Sequence, residues 1–91
     1  MATLIQVDGS ERQVLPASGQ AFTLEELQAL VGGYVEPLRL PSGDIVLLDE
    51  DGKLKQKPKN GRATTLVRSA GIAAADFIVG DVLVCSKSEL D

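Results

Sequence analysis

Histidine is missing from this 91-residue chain. Its absence removes the commonest general base and the commonest metal ligand. The single cysteine, Cys85, admits no internal disulfide and no zinc site built from Cys and His. Ser-His-Asp and Cys-His arrangements are impossible for the same reason. Tryptophan is absent and aromatics make up only 3%. Val, Leu, Ile and Ala must therefore fill the core through many small contacts. No stretch approaches the roughly 18 apolar residues that a membrane span needs. "MATLIQVDGSERQV" lacks a basic segment followed by a long apolar run, so no signal peptide is expected. Cys85 sits in an apolar run and reads as a small buried hydrophobe, not a reactive thiol, in a cytosolic chain.

What is present describes one small globular unit over residues 1–91. Hydrophobic residues reach 44% and the net charge is −4. That balance disfavours attraction to DNA or to anionic lipid. A pair of carboxylates could still perform acid–base chemistry. The acids here stand at turns and helix starts, where they cap or stay solvated, so a non-enzymatic protein without cofactor or metal is expected.

Hydrophobic spacing predicts the order ββαββαβ, an α+β fold. Its mixed or antiparallel sheet would hold about five or six strands, with two helices packed on it. Strand patterns over 3–7 and 11–15 flank the turn signal "DGS", with Ile5, Val7, Val14 and Leu15 expected to face inward. "FTLEELQALVGG" carries a capping box, Thr23 with Glu26. Phe22 and Leu27 can staple that helix start, and Leu24, Leu27, Leu30 and Val31 recur at helical spacing. Gly32 or Gly33 stops the helix. Residues 34–40 read as a strand that is at an edge or carries a bulge at Pro37, which has no N–H. The apolar run 45–48 reads as a strand buried on both faces. Residues 53–59 look polar and extended. Asn60 is the expected cap of a second helix over 62–70, ended by Gly71. Residues 73–76 read as a linker. "FIVGDVLVC" is the strongest strand signal, broken at Gly80-Asp81. Residues 86–91 form a polar tail with room for one helical turn.

The stretch "DEDGKLKQKPKNGRAT", residues 49–64, holds the candidate chemistry. As an EF-hand it fails. With Gly52 as the turn glycine, Leu47 and Pro58 occupy ligand positions and supply no side-chain oxygen. "GRAT" lacks the first glycine and the lysine of a P-loop. Lys53, Lys55, Lys57, Lys59 and Arg62 are five of the nine basic residues. In an extended chain the four lysines would project from one face, before a helix start whose free N–H groups favour an anion. A nucleotide-like ligand at Lys53, Asn60, Arg62 and Thr64 is one reading. Edge lysines that merely keep a strand soluble are a second, and a contact with an acidic protein or nucleic-acid surface is a third. Tyr34 and Glu36 of "GGYVE" supply either a core tyrosine beside an acid or a contribution to a pocket.

These motifs carry a resemblance. "LVGGYVE", "DEDGKL", "KPKN" and "IVGDVLV", in this order, resemble a family of small proteins catalogued only as a domain of unknown function. Its members are encoded mainly by bacteriophages, plasmids and other bacterial mobile elements. The resemblance runs from about Phe22 to Cys85. It places the recurring positions at Gly32, Gly33, Tyr34, Glu36, Gly52, Lys53, Leu54, Pro58 and Asn60, with the lysines at 55, 57 and 59 outside the pattern. It brings no activity or catalytic residue. It implies an accessory protein in the host bacterial cytoplasm that binds a host molecule, with an anti-defence role. Two partners are expected alternatives. One is an anionic nucleotide-like signal held by a homo-oligomer at Lys53, Asn60, Arg62 and Thr64 with Tyr34 and Glu36. The other is a host protein met by an acidic surface or an edge strand. No membrane partner is expected.

Overall fold

A computed structural model describes residues 2–71 and 77–90. The strands are β1 (Ala2–Ile5), β2 (Glu11–Val14), β3 (Val35–Arg39), β4 (Asp44–Asp49) and β5 (Val82–Ser86). The helices are α1 (Leu24–Val31) and α2 (Gly61–Ser69), and a short 3-10 turn follows at Lys87–Glu89. The element order is the expected ββαββαβ. The sheet has five strands in the order β2-β1-β5-β4-β3, and every pairing is antiparallel. The two hairpins thus meet on the last strand, β5.

Alternation along the three central strands feeds two hydrophobic layers. Leu83 and Cys85 of β5, Ile45 and Leu47 of β4, and Ala2 and Leu4 of β1 face α1, where Phe22, Leu27 and Val31 complete one cluster. Val82 of β5, Val46 of β4 and Ile5 of β1 face α2, where Ala63 and Val67 complete the other. The sheet is therefore covered on both faces, and β4 is apolar on both sides as its run predicts. Cys85 is buried, and burial followed by the charges of Glu89 and Asp44 pushes its thiol up to about 11.

The expected start of α1 is present. Thr23 accepts from the Glu26 N–H while the Glu26 carboxylate accepts from the Thr23 N–H. Gly32 ends the helix in the left-handed region at φ 82°. Leu24, expected on the apolar face, is 58% exposed because it stands on the solvent side of the first turn. Val7 and Leu15 are exposed as well, since they lie beyond the ends of β1 and β2 and no layer covers them. Tyr34 is 68% exposed and is no core residue. The C-terminal tail does more than stay polar: Leu90 packs on the α1-side core and bridges to Phe22. The linker expected at 73–76 lies outside the described residues.

The second helix is anchored by one side chain. Asn60 is fully buried, and its Oδ1 caps α2 by accepting from the Ala63 N–H at 3.0 Å. Its Nδ2 donates to the Ile5 carbonyl at 3.0 Å and the Gly80 carbonyl at 2.9 Å. Thr64 continues the network, donating to the Asn60 carbonyl and accepting from the Ile78 N–H. Helix, first strand and the segment before β5 are thereby held at one point. Asn60→Ala loses the cap and leaves two buried carbonyls short of a donor. The expected cost is roughly 3 kcal/mol, read as a lower urea midpoint with an unchanged slope.

Candidate functional site

The row of lysines does not form an extended comb. Residues 51–56 make a helical turn closed by bonds from the Gln56 N–H to the Lys53 carbonyl and the Lys57 N–H to the Gly52 carbonyl. Gln56 sits in the left-handed region at φ 57°. This turn divides the lysines into two pairs, so period-two spacing does not place them on one face.

Lys55 and Lys57 turn inward to Asp49, the last residue of β4. Their Nζ atoms lie 2.9 Å and 2.7 Å from Asp49 Oδ2, on a carboxylate side chain only 1% exposed. Asp49 Oδ1 accepts from the Asp51 N–H. Both ammonium groups reach further, to the end of α1. Lys57 donates to the Val31 carbonyl at 2.8 Å and Lys55 to the Gly32 carbonyl at 3.2 Å. The last turn of α1 has no basic residue of its own. Two lysines more than twenty positions away satisfy its terminal carbonyls and oppose its dipole. Gly33 packs under this clip. A Cβ there would lie 2.7 Å from both Asp49 carboxylate oxygens, so the second glycine of "GGY" is required by close approach.

Burial alone would raise the Asp49 pKa. The hydrogen bonds from Lys57 and Lys55, with the Asp51 N–H, outweigh it and hold the carboxyl at about 2 instead of 3.8. A folded-state pKa below the unfolded one contributes stability above pH ~4 that is lost as pH falls toward ~2. Unfolding measured across that window should show a loss of about 2 kcal/mol in the native protein that Asp49→Asn lacks.

Lys53 and Lys59 turn the other way, toward Phe77. Their Nζ atoms stand 5.8 Å and 4.2 Å from the ring centroid. Phe77 lines a cavity of about 350 Å³ on the α2 side of the sheet. Leu38, Leu48 and Val79 form its floor, and Glu36, Glu50, Lys53 and Leu54 lie around it. Leu54 is 84% exposed there, a large apolar side chain held in water by the turn that carries it.

The six candidate residues thus separate. Glu36 and Lys53 share this cavity. Tyr34 lines another, with Gln28 and Lys55. Arg62 pairs with Glu11 across a third, beside Thr65 and Val84. Asn60 and Thr64 are buried with their polar atoms engaged in the fold. Sequence reasoning missed Phe77, Glu50 and the apolar floor. The signal for Phe77 was present, as one of only two phenylalanines. Among the described residues no three Cys, Asp or Glu side chains gather to hold a metal, and no helix is long and apolar enough to cross a membrane.

A five-stranded antiparallel sheet between two helices, with a mixed-charge cavity beside one hairpin, defines a small α+β protein with a ligand-sized recess. The chain belongs to the family described as a domain of unknown function, DUF3846, whose model matches residues 2–91. No curated protein and no solved structure matches it.

Proposed function

We propose that this protein is a non-enzymatic binding module that takes a nucleotide-like ligand in the cavity at Phe77. One observation carries the reading. Glu36, from the β3–β4 hairpin, and Lys53 and Leu54, from the next turn, converge on one recess with an aromatic ring. A flat base suits an apolar floor beside Phe77. The Lys53 and Lys59 ammonium groups suit a phosphate, and the Glu36 and Glu50 carboxylates suit the N–H groups of a base edge. Glu36 and Glu50, beside the lysine-paired Asp49, disfavour a ligand that is anionic throughout, so a ligand with one phosphate and a donor-bearing base fits best. A homo-oligomer in which two half-sites make one pocket belongs to the same proposal. In the wider proposal the protein is a phage or mobile-element accessory acting in the bacterial cytoplasm, where the ligand is a host signal that serves defence. That setting is supported by the motif resemblance alone.

Thermal unfolding with a panel of purine and pyrimidine mononucleotides tests the site. A stabilising ligand should lose about tenfold in affinity in Lys59→Ala and in Glu36→Gln, and keep its affinity in Arg62→Ala. No shift from any member of the panel overturns the reading.

The second reading, a host protein, is favoured by the free edge at β2. The Gln6 N–H to Ser10 carbonyl bond phases the β1–β2 ladder, leaving the backbone groups of Glu11 and Gln13 pointing outward. No proline guards this edge, in contrast to β3. Strand addition here would join main chain to main chain. Gln13→Pro removes an outward N–H and no ladder bond. It should abolish capture of a host protein while leaving the melting temperature within a few degrees of the native value; capture that survives it rules out the edge.

A further inference from the structure

A different recess lies on the α1 side of the sheet, against the outer strand β3. Alternation turns Val35, Pro37 and Arg39 to this face, away from Glu36 and Leu38. Leu27, Pro37, Ile45 and Leu47 line a cavity of about 360 Å³, and its charged residues are Arg39 and Lys87. Four other cavities each set a carboxylate against their cations: Glu36, Asp49 and Glu50 against Lys53, Glu11 against Arg62, Asp81 against Lys57, and Asp51 against Lys55. Among the described residues this one holds two cations and no acid, in a chain of net charge −4. Neither Arg39 nor Lys87 forms an ion pair among the described residues. Two described acids stand on neighbouring positions. Asp44 shares the side of Val46 by alternation, and the Glu89 carboxylate accepts from the Ser86 N–H and hydroxyl.

The floor is continuous with the buried core. Leu27, Ile45 and Leu47 belong to the cluster beneath α1, and Leu90 packs on it from the C-terminal side. An apolar chain entering here would therefore lie against core side chains, with its anionic end at the two cations.

We propose that this cavity binds a free medium-chain fatty carboxylate, its tail on Leu27 and Leu47 and its head between Arg39 and Lys87. Charge complementarity selects the head, and the apolar floor selects the tail. The cavity volume falls in the range of roughly 300–1,000 Å³ usual for small-molecule sites. The proposal is independent of the Phe77 cavity, which lies on the opposite face.

The test is displacement of 8-anilinonaphthalene-1-sulfonate from the native protein by hexanoate, octanoate, decanoate and, as an uncharged control, 1-decanol. Each added methylene should tighten binding about fourfold. Decanol should bind about tenfold more weakly than decanoate. Arg39→Ala and Lys87→Ala should each weaken decanoate several-fold, Lys87→Arg should restore it, and the urea midpoints should stay unchanged. Decanol as tight as decanoate, no dependence on chain length, or affinity indifferent to both cations overturns the proposal. So does binding to phosphatidylglycerol vesicles without binding to free decanoate, which would make the face a lipid-surface contact.

Discussion

A buried carboxylate between two ammonium groups organises the middle of this protein. Asp49 closes β4, and its charge is tolerable inside only because Lys55, Lys57 and the Asp51 N–H meet it. The same two lysines satisfy the carbonyls that end α1. Helix, strand and turn are thus closed by one network, and Gly33 must be small to let it close. Once Lys55 and Lys57 are committed there, Lys53 and Lys59 are left on the opposite side with Phe77. The candidate cavity exists where it does as a consequence of that division.

The sheet shows a second constraint. A chain of 91 residues covers both faces of its sheet with one short helix each, so every central strand must be apolar on both sides. The outer strands then carry the edge problem. On β3 the bonds Glu50 N–H to Tyr34 carbonyl and Leu40 N–H to Asp44 carbonyl phase the ladder so that Pro37 faces outward. Its missing N–H falls on the free edge, where it costs no ladder bond and blocks further pairing. The polar β2 edge has no such guard.

Local signals were legible wherever the deciding partners are neighbours in the chain. The Thr23–Glu26 box, the Gly32 stop, the Asn60 cap and the Gly80 break all stand where spacing places them. The lysine stretch was misread because period-two reasoning assumes an extended backbone, and a left-handed Gln56 closes a turn instead. Asn60 reads as a cap from sequence, but its amide donors are taken by Ile5 and Gly80, 55 and 20 positions away. Glu36 and Lys53 were both candidates, yet nothing local indicates that they share a recess.

Sequence alone therefore determined the class of fold, the helix termini and the absence of histidine chemistry. These follow from backbone dihedrals, periodicity and residue type, which act within a few positions. Tertiary structure decided which lysines close on Asp49 and which stand beside Phe77, and it separated Arg62 from Lys53. It also gathered Arg39 and Lys87 over an apolar floor. Such decisions depend on where desolvation forces a charge to find its partner, and that partner is set by packing across the sheet.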